Sequence, residues 1–290
     1  MPVAETTARA AEAAGQNAVA ARGEERPVAR TARRGAGRRF WLGVRPWLSL
    51  VAIVVVWQIA DGAGWLNERI LPGPGAVVTA AWELIVDGRL AESIGASLPR
   101  AGFGILFGVA SGVLLGFVAG YWRLGEDIVD RPMQVVRALP FTALTPLFIL
   151  WFGIGELPKI MLVTVGVAVP LYINTYSGIR SVDRKLIEVA YVYDRRAWTI
   201  WRRVLFPGAL PQILTGLRFG LGIGWIALIV AETVAASSGI GALMTTARQY
   251  SQTDVVIVCI VVYALLGVLT DLVVRWLEAY LLRWRSTIRG

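Results

Sequence analysis

Apolar runs of about 20 residues recur along this chain of 290 residues, and a helix of that length crosses the hydrocarbon of a bilayer. They fall at roughly 47–60 (extendable to Trp65), 101–121, 135–152, 160–179, 214–235 and 254–276. A composition of 56 % hydrophobic residues with 12 tryptophans excludes an ordinary soluble domain. The expected fold class is all-α, a polytopic transmembrane helical bundle of about six spans. Two of those spans carry expected interruptions, the third at Pro140 and Pro146 and the fourth at Pro170.

Charge sorts the connecting segments into two sides. Residues 1–40 are rich in Ala, Arg, Glu and Gly and read as a disordered basic tail, with nine arginines up to Arg45. Segment 180–212 holds seven cations, and four more lie near the C-terminus, whereas the segments assigned to the other side hold about five. Under the positive-inside rule the tail, segment 180–212 and both termini face the cytoplasm. Trp41, Trp47, Trp65, Trp122, Trp151, Trp276 and Trp284 fall near span ends, as an aromatic belt does. The pair Arg38-Arg39 before an apolar run touches on a twin-arginine export signal. No small-residue cleavage site follows it, and the remainder of the chain spans the membrane. The expected organisation is a tail at 1–40, a first span with an outer connector helix at 41–94, and a core at 95–285.

Several chemistries are excluded outright. There are no histidines, which removes His-based catalysis and His metal ligation. The single Cys259 lies in an apolar run, so neither an intrachain disulfide nor a cysteine cluster forms. The only lysines, Lys159 and Lys185, stand outside any G-x-x-x-x-G-K-[ST] pattern, so the chain carries no P-loop and no expected cofactor.

Within the spans, Gly104, Gly108, Gly112, Gly116 and Gly120 recur at every fourth position, which lets another backbone approach closely. Packing inside the bundle and a seam between two copies are both compatible with that stripe. Gly216, Gly220 and Gly224 repeat the spacing. Pro140 and Pro146 mark either a pathway-lining helix or a simple kink. Glu156 either pairs with Lys159 or meets a partner. Glu232, near the outer end of its span, is either solvated at the interface or part of a pathway or gate. Asp271 and Arg275, four residues apart, can pair across one helical turn.

The longest polar interruption between two spans is 180–212, RSVDRKLIEVAYVYDRRAWTIWRRVLFPGALPQ. Leu186, Val189, Ala190 and Tyr193 fall at helical spacing, with Asp183 as the first-turn cap. Ala197, Ile200, Trp201, Val204 and Leu205 form a second apolar face, expected to end at Pro207 and Pro211, with Asp194 as a cap between the two helices. Two short helices, each with an apolar face and a charged rim, make a docking knob at a membrane surface.

That segment resembles the EAA loop of the membrane subunits of bacterial ABC importers. The motif stands here as Glu188-Val189-Ala190, with Asp194 where the family has Gly, then Phe206-Pro207 and Leu210-Pro211. Asp tolerates the left-handed turn that Gly would make at Asp194. Leu71-Pro72-Gly73-Pro74, Trp151-Phe152-Gly153-Ile154-Gly155-Glu156 and Ala231-Glu232 resemble the nitrate/sulfonate/taurine/bicarbonate branch, and together these matches cover roughly residues 65–285.

The resemblance implies a type I ABC importer permease architecture, like that of methionine-importer permeases, in the bacterial inner membrane. It implies a homodimer served by two ATP-binding subunits and a solute-binding protein, importing a small anion such as a sulfonate, taurine or nitrate. Glu188, Ala190, Asp194 and Pro207, with Pro211, shape the coupling loop, while Arg195, Arg196, Arg202 and Arg203 are the candidate charged rim. A stand-alone secondary transporter is the alternative; it calls for charges paired at the midplane and an inverted repeat. A membrane-embedded enzyme has less to stand on, because no nucleophile lies beside a base in the sequence.

Overall fold

The structure, a computed structural model, describes residues 35–284 except 68, 194 and 195. The expected tail up to residue 34 and the roles assigned to Asp194 and Arg195 therefore lie outside the described residues, while residues 35–40, expected in the disordered tail, are helical. The chain divides into two units, Met1–Val56 and Trp57–Gly290, and all packing described below lies within the second.

Every regular element among the described residues is helical. α1 (Gly35–Gly62) carries the first apolar run. α2 (Pro74–Val86) opens with proline in its first turn, where no N–H is needed. Gly88, at φ 75°, turns the chain into α3 (Arg89–Tyr121), which runs through Pro99. α4 (Arg123–Ala138) and α5 (Phe141–Phe152) follow, then α6 (Glu156–Arg180). α7 (Arg184–Tyr193) and α8 (Ala197–Ile200) lead through a π-helical turn (Trp201–Leu205) into α9 (Phe206–Ala235). α10 (Ile240–Gln249) and α11 (Thr253–Leu281) complete the bundle. Among the described residues, α3, α6, α11 and the continuous stretch Trp198–Ala235 are long and apolar enough to cross a membrane, and the bent pair α4–α5 brings the total to five. The apolar part of α1, Leu48–Gly62, is shorter.

α6 is the centre. It packs along its length against α3 on one side and α9 on the other, and Leu162, Val163, Val167, Leu171 and Tyr172 are fully buried. Glycines make this possible. A Cβ added at Gly104 or Gly108 would stand 2.5–2.6 Å from the Cβ of Val163 or Val167, and one at Gly112 would stand 2.7 Å from the carbonyl oxygen of Ala168. On the α9 side, a Cβ at Gly220 would meet the Val167 carbonyl at 2.8 Å. Both stripes therefore serve packing inside the bundle. The opposite faces of α3 and α11 present Phe103, Leu106, Leu114, Leu265, Leu269 and Leu272 outward, as lipid contact requires.

Three sequence expectations need correction, and each turns on proline. The third run, 135–152, is interrupted at Pro140 as expected, by a bend of 114° between two helices, but not at Pro146. Leu139 is extended (ψ 130°) because the ring of Pro140 disfavours helix at the preceding residue, and Pro140 then starts α5. Pro146 sits inside α5 without ending it. The fourth run does not break at Pro170, and α6 continues to Arg180. Its flanks are held by α3 and α9, so the loss of one backbone hydrogen bond is tolerated. Pro207 and Pro211 likewise do not stop the loop's second helix. The π turn bonds the Phe206 N–H back to the Trp201 carbonyl, which places Pro207 in the first turn of α9, where its missing N–H costs nothing.

If close approach along α6 holds the bundle, Gly112→Leu will lower the unfolding midpoint in detergent by several degrees, since overpacking costs about 1–3 kcal/mol. Gly102→Leu is the matched control in the same helix, because a side chain there meets nothing within 4 Å. Equal behaviour of the two variants would contradict the packing assignment.

Candidate functional site

At the end of the bundle formed by the start of α6 and the end of α9 lies a buried ionic cluster. The frame that places Gly104 and Gly108 against α6 also turns Ser97 and Arg100 inward, one and two helical turns earlier. α6 supplies Glu156 and Lys159 from its first turn, α9 supplies Glu232 one turn before its end, and α11 supplies Tyr263. Ser238 comes from the link between α9 and α10.

Glu232 is 1 % exposed. Its Oε1 accepts from Arg100 Nη1 at 2.8 Å and from Ser97 Oγ at 2.7 Å. Its Oε2 accepts from the Gly241 N–H and from the Tyr263 hydroxyl, each at 2.9 Å. Ser97 Oγ in turn accepts the Ile240 N–H at 3.0 Å. One carboxylate thus ties together α3, α9, α10 and α11. Arg100, 4 % exposed, uses all five of its N–H donors. Nη1 serves Glu232 and the Ser238 carbonyl (2.6 Å); Nη2 serves Ser238 Oγ (2.9 Å) and Glu156 Oε1 (3.0 Å). Nε reaches Glu156 Oε2, which makes a bidentate fork on that carboxylate. Lys159, 3 % exposed, also donates to Glu156 Oε1 at 3.0 Å. The two cations and two carboxylates balance in formal charge, and each buried member has a partner of opposite sign.

Gly239 is required where it stands. Its φ is 110°, and a Cβ there would come within 2.6–2.7 Å of Glu232 Oε1 and Arg100 Nη1. The turn before α6 needs Gly153 at φ 78°.

The structure brings Glu156 and Glu232 together through Arg100, and it gives Glu156 the expected partner Lys159. Glu232 is not an interfacial, solvated group, since its buried neighbours replace water. Pro140 and Pro146 take no part in this cluster. Sequence reading missed Arg100, Ser97 and Tyr263 as members. The available signal was that Ser97 and Arg100 share the face of the glycine stripe, so a polar pair was aimed into a close-packed seam. A second ionic group lies on α9 and α11, where Asp271 accepts from Arg218 at 2.6 Å and from Arg275 at 2.7 Å, the expected i,i+4 pair extended by a third member.

The other expected site is the knob. α7 spans Arg184–Tyr193 as expected, and Asp183 Oδ1 accepts the Lys185 N–H at 2.9 Å as its cap. Leu186, Val189 and Tyr193 of its apolar face point outward with Val192, and Ile187 packs inward. The second helix turns its apolar face to the bundle, burying Ile200 and Leu205. Trp198 stacks on Trp201 (4.7 Å between rings), Trp201 meets Phe117 edge-on, and Phe206 lies against Trp201. Aromatic rings from α3 and α9 therefore root the knob. Glu188, Arg196, Arg202 and Arg203 are exposed, and Ala190 and Pro207 are half-buried. Arg180, at the base, pairs with Glu126 of α4, which also accepts from the Tyr176 hydroxyl at 2.7 Å.

Removing one partner from a buried ion pair costs about 3–5 kcal/mol, because the other charge is left behind. Glu232→Ala is therefore expected to lower the unfolding midpoint far more than Asp271→Ala, whose site is partly exposed. Thermal unfolding of the purified protein checks this, and equal effects would contradict it.

Comparison with known proteins agrees with this architecture. Residues 112–283 match the family described as binding-protein-dependent transport system inner membrane component. The aliphatic sulfonates transport permease protein SsuC of Escherichia coli (strain K12) is 48 % identical over 247 residues, covering 85 % of this chain and 94 % of that protein. SsuC of Bacillus subtilis (strain 168) is 41 % identical over 262 residues, 90 % of this chain and 95 % of that protein. The taurine transport system permease protein TauC of Escherichia coli (strain K12) is 33 % identical, covering 83 % and 90 %. Among solved structures, an amino acid ABC transporter with histidines shares the fold at a TM-score of 0.57 and 14 % identity, covering 68 % of this chain and 96 % of that one. The chain therefore belongs to the binding-protein-dependent transport system inner membrane component family, as a multi-pass transmembrane permease subunit of an ABC importer.

Proposed function

We propose that the chain works as a homodimer, with α7 and α8 on the cytoplasmic face as the handle for separate ATP-binding subunits. The carrying observation is the outward apolar surface of α7, where Leu186, Val189, Val192 and Tyr193 are all exposed on a helix just ten residues long. Such a patch at the end of a membrane bundle, rimmed by Arg202 and Arg203, is suited to a protein groove rather than to water. The chain has no P-loop of its own, so the energy comes from the subunits that receive this handle. The cation excess of 180–212 supports the cytoplasmic orientation, with both termini on that side. Glu188, Ala190, Pro207 and Pro211 shape the handle; Asp194, Arg195 and Arg196 belong to the same loop.

Closure of two ATP-binding subunits would draw the paired handles together. The continuous helix from Trp198 to Ala235 carries that movement across the bilayer to the opposite end, where Glu232 sits. The resemblance to permeases named for aliphatic sulfonates, closer than that to the taurine permease, supports a small organosulfonate as cargo. It would be handed over by a solute-binding protein on the outer face. The organisation into a tail at 1–40, a first span and connector at 41–94 and a core at 95–285 is part of the same reading.

Val189→Glu puts a charge into the outward patch without touching the bundle. It is expected to reduce co-purification of the ATP-binding subunits and sulfonate uptake by an order of magnitude or more, at unchanged permease abundance in the membrane. Full uptake by the variant, or uptake by the chain alone driven by an ion gradient, would overturn the reading.

A further inference from the structure

The ionic cluster has an asymmetry that its structural role does not need. Arg100 and Lys159 have side chains only 5 % and 4 % exposed, yet the carboxylate they share, Glu156, is 57 % exposed. Glu232, by contrast, is sealed. Among the four charged members, Glu156 is therefore the one that faces solvent. It stands on the first residue of α6, directly after the Gly153–Gly155 turn, with Arg100 and Lys159 behind it.

Three donors also converge on Glu156 from one side. Arg100 Nε, Arg100 Nη2 and Lys159 Nζ all point at one carboxylate, and Oε1 must serve two of them. When Glu156 swings toward solvent, Arg100 and Lys159 face Glu232 alone, leaving one uncompensated positive charge and three convergent N–H donors. An anion with three oxygens gives each of those donors its own acceptor. A fork of Nε and Nη2 beside an ammonium is a geometry for a tetrahedral or planar oxyanion, with Arg supplying the bidentate pair and Lys the point charge. Glu232, held by Ser97, Tyr263 and the Gly241 N–H, keeps Arg100 in place throughout.

We propose that Arg100 and Lys159 form an oxyanion-binding site, and that Glu156 is a tethered carboxylate occupying it until a sulfonate displaces it. The site lies at the end of the bundle opposite the knob, so it would receive the anion where it enters the permease. This deepens the proposed function and rests on its orientation and its anionic cargo.

The test uses the purified complex of the permease with its ATP-binding subunits, without the solute-binding protein. Binding of sodium ethanesulfonate, sodium nitrate and the uncharged ethyl methyl sulfone is measured by titration calorimetry. Glu156→Gln removes the competing charge while keeping the side chain's size, and is expected to bind ethanesulfonate about tenfold more tightly than the unmodified protein. The sulfone should remain unbound, and Lys159→Met added to Glu156→Gln should reverse the gain. If Glu156→Gln does not purify folded, Glu156→Asp, with the charge drawn back by one methylene, should bind ethanesulfonate more tightly than the unmodified protein. Nitrate binding that tightens in the same way while ethanesulfonate does not bind upholds the site and overturns the sulfonate reading. Affinity for both anions unchanged by the Glu156 substitutions overturns the site, and sulfonate uptake persisting in the unmodified complex then leaves the proposed function standing.

Discussion

Close backbone approach along α6 is the constraint on which the rest depends. In lipid, burying apolar side chains yields little over leaving them against acyl chains, so helices associate through tight packing and a few polar contacts. α6 obtains the first by lying between two glycine faces, that of α3 at Gly104 to Gly116 and that of α9 at Gly216 to Gly224. A helix gripped on both sides tolerates Pro170, and its two ends become fixed points. One end carries Glu156 and Lys159; the other carries Arg180, paired with Glu126.

The two ends are built differently, in keeping with an importer permease. At one end the contacts are ionic, saturated and buried, and a single carboxylate, Glu232, joins four helices. At the other end they are aromatic and apolar, with Phe117, Trp198, Trp201 and Phe206 rooting a short helix whose own apolar face is left uncovered. The helix that runs without interruption from Trp198 to Ala235 connects them. The π turn at Trp201–Leu205 is the irregularity in that stretch nearest the knob.

Much of this was legible in the residues. The glycine stripe announced close packing, the alternation of apolar runs and cationic loops announced the spans, and Glu188-Val189-Ala190 with its flanking helices announced the knob and its cap at Asp183. Of the prolines, Pro140 interrupts its run as expected but Pro146, Pro170 and Pro207 do not, because a ring's effect depends on its surroundings. Pro140 breaks a run where the chain is free to turn, while Pro170 and Pro207 are absorbed by clasping neighbours and by a shifted hydrogen-bond register. The direction in which the face of α7 points was not legible for a related reason. Periodicity identifies an apolar stripe without saying whether the bundle or an absent partner covers it, and here Ile187 packs inward while Leu186, Val189 and Val192 are exposed.

Hydropathy, glycine spacing and loop charge are properties of contiguous residues, so the chain alone determined that it forms a membrane helical bundle with a pair of short helices between two of its spans. Which charges meet was settled only by the tertiary structure. Ser97, Arg100, Glu156, Glu232 and Tyr263 are separated by as many as 166 positions, and no local pattern links them. Burial compels such groups to find partners, because an unpaired charge is too costly away from water, but folding alone decides which ones they find.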